Sequence, residues 1–142
     1  MMAKAPELLD VPDFQLPSLL RFEDVGVEEV RDKRPIKLGK LSVIHGHEYS
    51  FAISNPVNPA RGLFLRARVN AVMSHLHQSS NHSESDMDGD ITTCWSTGCL
   101  CGLHPLYRPL NKWNHGFCFA DIGADGAFEM WNPRIIDGRV YG

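Results

Sequence analysis

An α+β fold, β-rich after residue 90 and carrying a βαβ unit at about residues 41–75, is what the sequence predicts for this chain of 142 residues. Two short apolar runs, 41–44 and 71–73, flank a segment whose apolar residues recur at helical spacing. Beyond a polar stretch at 81–90, strand-like runs separated by turn signals take over. With 43% hydrophobic and 22% charged residues, the composition is that of a globular protein, and a single domain over 1–142 is expected. The net charge of -3 argues against a nucleic-acid arm or a membrane-binding basic face. The opening MMAKAPELLD lacks a signal peptide's apolar stretch, and no run of about 18 apolar residues occurs. A cytoplasmic protein with no membrane contact is therefore expected.

Charge and histidine are unevenly divided. Residues 1–40 hold 15 of the 31 charged side chains (14 basic plus 17 acidic), whereas all seven histidines fall between His45 and His115. Pro6, Pro12, Pro17 and Pro35 interrupt any long helix in the first part, because proline lacks the amide donor and clashes with the preceding turn. Short helical pieces at 18–22 and 22–30 fit there, with Val25, Val27 and Val30 partly buried.

From Leu38 the pattern changes. Leu41, Val43 and Ile44 read as a buried strand ending in a tight turn at His45-Gly46-His47. Asn58-Pro59 then matches an N-cap followed by proline at the first helical position, where its missing amide costs nothing. Val57, Ala60, Leu63, Phe64 and Ala67 give the helix its apolar stripe, and Arg61 and Arg68 lie on another face. Residues 71–73 form the next strand, ending at Ser74-His75-Leu76-His77. A crossover of this kind places its strands parallel, so His45 and His75 emerge at the same sheet edge, where open α/β sheets bind ligands.

Residues 81–90 read as an exposed polar loop, 91–95 as a strand, and 116–122 with 127–131 as a hairpin around Asp125-Gly126. A last strand is expected at 138–141. Cys94, Cys99, Cys101 and Cys118 read as reduced core thiols, since C-x4-C-x-C lacks the C-x2-C knuckles of a structural zinc site. Asp86, Asp88 and Asp90 lack the bidentate glutamate of a calcium loop and read as solvated charge. Trp95, Trp113, Trp131 and Tyr107 suit core packing, with base stacking as the other use of such rings.

In an extended segment His75 and His77 point the same way, with Cα atoms about 6.5–7 Å apart, which suits one ion between them or two adjacent ions. His45 from the neighbouring strand tip completes a candidate three-imidazole set for a divalent Mn, Fe, Zn or Ni ion, with His47 on the substrate side or behind the ligands. An H-x-H or H-G-H alone is common on solvated turns. The two together, each closing an apolar strand, carry the reading.

The order V-I-H45-G46-H47-E48, N-P-A60-R61, S74-H75-L76-H77, W95-S-T-G-C-L-C-G-L-H104-P and W113-N-H-G-F117 resembles the C-terminal half of a phage or bacterial calcineurin-like metallophosphoesterase. The resemblance implies half of an αββα sandwich with a two-metal site at the strand ends. It implies His45 and His75 as ligands of one ion and His77 as a ligand of its neighbour. Ser74 departs from the glycine of that family's G-H-x-H motif. The family's D-x-H, G-D-x-x-D and G-N-H-[DE] motifs would precede residue 1, and residues 1–44 contain no histidine and no G-D-x-x-D. The resemblance thus implies hydrolysis of a phosphoester only where another chain supplies the N-terminal phosphoesterase half, with a truncated or repurposed remnant as the other explanation; half a sandwich leaves apolar sheet faces that such a partner or self-association would cover. Nucleic acid enters only as a substrate. His104, Tyr107, Asn111 and His115 are candidates for the border of the site. The other reading is a non-enzymatic metal-binding or interaction module of the same fold; a virion or host-interaction protein with incidental histidines is a third.

Overall fold

The computed structural model describes residues 11–12, 15–30, 32–49 and 57–142. The chain divides into two compact units, Met1–Lys33 and Arg34–Gly142. In the first, prolines and short apolar pieces give a one-turn helix α1 (Leu16–Leu19) and a 3-10 helix at Phe22–Val25, neither of which buries a residue. Arg21 and Asp24 form an ion pair one turn apart. Val30 is half-buried, but Val25 and Val27 are exposed, because a four-residue 3-10 piece is too short to present an apolar stripe.

The second unit is built on a five-stranded sheet in the order β1-β2-β3-β5-β4: β1 (Ile36–Leu38), β2 (Leu41–Val43), β3 (Ala71–Met73), β5 (Ile91–Ser96) and β4 (Ser80–Ser85). Helix α2 (Pro59–Ala67) connects β2 to β3, and these strands pair in parallel with Ser42 beside Ala71 and Val43 beside Val72. The βαβ unit is therefore present as the sequence predicts. β3 pairs in parallel with β5, whereas β1 and β4 close the two edges antiparallel. The protein is mixed α+β.

Local chemistry sets the helix. The Asn58 side chain accepts from the Arg61 amide at 3.0 Å, Pro59 opens the first turn, and Arg68 ends the helix in a left-handed conformation at φ 53°. Leu63, Phe64 and Ala60 are buried, and Leu63 and Phe64 join Ile44, Ala71, Met73 and Cys94 in the core. Val57 is exposed, one residue before the N-cap and outside the helix. Arg61 and Arg68 face solvent.

Two segments differ from the sequence reading. Residues 80–85 form strand β4 rather than a loop, pairing with β5 from Ser80 opposite Ser96 to Ser85 opposite Ile91. β4 is an edge strand, mostly exposed along its length, so its polar side chains cost nothing and hide its strand character. Only the tip turns, where the Asp86 carboxylate accepts the amides of Asp88 and Asp90 at 3.0 and 2.9 Å. The cysteines also divide: Cys94 is fully buried and its thiol is pushed up to about 11 by burial, whereas Cys99 is half-buried and Cys101 exposed. The core reading fails for Cys99 and Cys101, which lie past the end of β5, beyond the layer that α2 covers. All four cysteines are free thiols.

The 119–131 hairpin consists of β6 (Phe119–Ile122) and β7 (Phe128–Trp131), and its turn meets the sheet where the Lys40 amide donates to the Gly126 carbonyl at 2.8 Å. Trp95 packs edge-on against Phe128, and Trp131 stacks on Phe119 with centroids 4.8 Å apart. β8 (Arg134–Ile136) pairs with β9 (Arg139–Tyr141) at the C-terminus. The three-residue strands β1 and β8 carry too few positions for alternation to reveal them in the sequence.

Truncating Leu63 to alanine leaves a cavity between helix and sheet. Leu63→Ala is expected to lower the unfolding free energy by about 2–5 kcal/mol in urea titration, against about 1 kcal/mol for Asn58→Ala at the helix cap.

Candidate metal centre

Because β2, β3 and β5 run parallel side by side, the chain leaves all three at one edge of the sheet. The strand ends stay tied to one another there: the Ile44 amide donates to the Val72 carbonyl at 3.0 Å and the Thr97 amide to the Met73 carbonyl at 2.9 Å. The exits carry His45-Gly46-His47, Ser74-His75-Leu76-His77 and, a few residues past β5, Cys99-Leu100-Cys101.

The first two exits interlock. The His45 carbonyl accepts the amides of Ser74 and His75 at 3.1 and 2.9 Å. Nδ1 of His45 and Nδ1 of His47 lie 2.7 Å apart, and the His75 ring sits 4.8 Å from that of His45 and 6.4 Å from that of His47. Gly46 makes this approach possible: its φ is +121°, and a Cβ built there would fall 2.7 Å from the Cβ of His75. Glu48 closes the turn from below, its two carboxylate oxygens accepting the His45 and Gly46 amides at 2.8 and 2.6 Å. Burial pushes the Glu48 carboxyl up, but the amides of Gly46, Glu48 and His45 and the neighbouring His47 outweigh it and hold the group below its ordinary value.

His77 has Cys99, Cys101 and Trp113 as its near neighbours. In the turn after β3 it is His77 and not Ser74 that takes the left-handed conformation, at φ 55°, so the serine is accommodated without strain. The His77 amide donates to the Ser74 carbonyl at 3.1 Å, and its own carbonyl accepts the Asn114 amide at 3.0 Å. Trp113 packs against the His77 ring with centroids 4.4 Å apart, and Nδ1 lies 3.8 Å from Sγ of Cys101. Among the described residues, His77, Cys99 and Cys101 are the one group of three or more side chains with ligand atoms close enough to hold an ion in common, all within 4.8 Å of one another.

The histidines therefore sort differently from the sequence expectation. His45 and His75 come together with His47 as the third ring, while His77 groups with two cysteines that the sequence reading assigns to the core. The two groups are neighbours electrically. Burial first, and then the positive charge that His45 can carry, lower the proton affinity of both His75 and His77. His47 and His77 add to the effect on His75, and Arg108 to that on His77. Depressed basicity keeps both rings neutral near pH 7, the form that ligates metals. The 2.7 Å between Nδ1 of His45 and Nδ1 of His47 is a hydrogen-bond distance, and imidazole is a donor type that borderline divalent ions accept.

The border candidates have more local roles. His115 Nε2 contacts the Cys101 carbonyl at 3.0 Å, and its backbone forms a bridge with Cys99. The Asn111 side chain donates to the Leu103 and Arg108 carbonyls and accepts the Trp113 amide, tying the 103–113 loop together. His104 Nδ1 lies 3.2 Å from the Pro109 carbonyl, and Tyr107 is exposed with its ring edge toward Trp113. Sequence reasoning passes over Asn114, whose carbonyl accepts the Cys99 amide while its side chain binds Ser79 and the His115 carbonyl. It also passes over Glu48, although a carboxylate one residue beyond an H-G-H turn is a usable signal. No family model, curated protein or solved structure matches this chain.

Two substitutions probe the turn. Gly46→Ala is expected to destabilise the fold by about 1–3 kcal/mol in thermal unfolding, from the φ and the contact with His75 together. Glu48 titrates below its ordinary 4.5 in the folded chain, so its contribution to stability is complete above pH 4.5 and is lost as pH falls through the lowered value. Glu48→Gln should therefore lower the melting temperature at pH 7 and flatten the acid limb of melting temperature against pH.

Proposed function

We propose that this chain supplies the imidazole side of a divalent-metal centre in a phosphoester hydrolase, and that its sheet is one layer of an αββα sandwich. The observation that carries the reading is the convergence of His45 and His75, 4.8 Å apart, at the tips of adjacent parallel strands. The order of motifs along the chain supports it, as does α2 packed on one face of the sheet. His45, His75 and His47 would be the residues to hold a divalent ion, which would supply Lewis-acid polarisation of a phosphoryl oxygen and activation of water. The chain's own part is positional. Gly46 lets the two strand exits touch, Glu48 fixes the His45 amide, and the lowered basicity of His75 keeps a lone pair available.

A two-ion hydrolytic centre also needs carboxylates to bridge its ions, because imidazole cannot bridge and brings no charge. In this reading they come from a separate phosphoesterase half carrying D-x-H, G-D-x-x-D and G-N-H-[DE], or from a second copy, and the complex acts in the cytoplasm. The substrate is a phosphoester, with nucleic acid as one form of it. The non-enzymatic metal-binding reading is favoured by the His77, Cys99 and Cys101 group, which gathers donors without any carboxylate.

Mixing the chain with such a half and Mn²⁺ is expected to release product from an aryl phosphodiester or phosphomonoester. His75→Ala should lower the turnover by about 100-fold or more, beyond the effect of losing a supporting contact. Metal uptake by the mixture with no turnover on either ester or on nucleic acid would overturn the hydrolase reading in favour of the metal-binding module.

A further inference from the structure

We infer that His77, Cys99 and Cys101 form a thiolate metal site of their own, separate in donor chemistry from the His45 group, which takes one ion of the zinc class and leaves one coordination position open. The site stands whether or not the hydrolase reading does, because no ligand of the His45 group enters it.

Geometry comes first. With bonds of about 2.3 Å to sulfur and about 2.0–2.1 Å to nitrogen, tetrahedral zinc sets its donors about 3.5–3.8 Å apart. Sγ of Cys101 and Nδ1 of His77 are already 3.8 Å apart, and no pair in the group exceeds 4.8 Å. Bringing the widest pair to that spacing asks for about one ångström.

Backbone hydrogen bonds hold the donors in place. His77 is fixed by its backbone hydrogen bonds to Ser74 and Asn114 and by the Trp113 ring. Cys99 is held in a short ladder, its amide donating to the Asn114 carbonyl at 3.0 Å and its carbonyl accepting from Gly116 at 3.1 Å. The Cys101 carbonyl is met by His115 Nε2 at 3.0 Å. Asn114 thus braces two of the three ligands, as groups behind a metal's ligands do.

The donor set selects the ion. Two thiolates and an imidazole favour zinc and other soft or borderline ions over magnesium, calcium and manganese, which prefer oxygen. Two thiolates also cancel the charge of a divalent ion, so the site closes without a carboxylate. Three protein ligands leave the fourth position to water or to a donor from another molecule.

Cobalt is the probe. The full chain, reduced and stripped of metal, is titrated with Co²⁺ at pH 7. One equivalent is expected to produce a thiolate-to-cobalt charge-transfer band in the near ultraviolet with strong tetrahedral visible bands, both bleached by one equivalent of Zn²⁺. Binding zinc in weak buffer should release about two protons per ion, one from each thiol. The Cys99→Ser/Cys101→Ser double variant should lose the band and at least about 100-fold in Zn²⁺ affinity. Cys118→Ser, and His75→Ala in the other group, should keep both.

Cobalt uptake without the charge-transfer band would overturn the site, as would a band that survives in the double variant. A metal-free melting temperature of the double variant equal to that of the parent separates ligand loss from misfolding. The hydrolase reading fails on a different result, absent turnover with the cobalt band intact.

Discussion

The parallel pairing of three strands, two of them only three residues long, governs the rest of the molecule. Parallel neighbours require a crossover, and α2 meets that requirement between β2 and β3 while burying Leu63 and Phe64 on the sheet. The same pairing sends every exit from β2, β3 and β5 to one edge. A histidine pair, a second histidine pair and a cysteine pair, far apart in the chain, therefore become neighbours without any long-range contact designed for each. The backbone does the gathering, and the side chains need only to lie at or just past the last strand residue.

Gathering them has a steric cost that the sequence meets at one position. Two exits that share hydrogen bonds at the His45 carbonyl bring backbones closer than a side chain between them allows, and Gly46 is the residue whose Cβ would lie in the way. Removing that Cβ loosens the turn. Glu48 tightens it again, because one carboxylate accepts two successive amides that no strand partner could satisfy. Glycine for clearance and glutamate for order are complementary parts of one turn.

How much of this is legible in the sequence follows from how local each signal is. The helix is legible from the Asn58-Pro59 cap and its apolar stripe, and the parallel order from the two short apolar runs around it. β4 is not, since an edge strand has no need of the hydrophobic alternation by which strands are recognised. His45 and His75 are legible as neighbours because the helical crossover between the two apolar runs is enough to set their strand tips side by side; the sequence places His77 with them and His47 behind or beside them, whereas the rings that cluster are those of His45, His47 and His75. Cys99 and Cys101 are not legible as donors. A C-x-C pair is uninformative alone, and its grouping with His77 follows from the pairing of β3 with β5, which no local sequence signal records.

One sheet edge thus carries two kinds of donor, and the difference between them has electrostatic content. An ion on neutral imidazoles keeps its full charge, so it attracts phosphate oxygens and lowers the proton affinity of bound water. An ion on two thiolates is close to neutral and has far less attraction for an anion at the same distance. The two groups are near enough for the charge of His45 to act on His77. Ions held in both would therefore repel less than two ions on imidazole alone, and the thiolates would offset charge that two-metal hydrolytic centres ordinarily offset with carboxylates. With an ion in each group, the cysteines of this edge would answer, by a different chemistry, part of the charge requirement for which the proposed hydrolase calls on acidic ligands from another polypeptide segment.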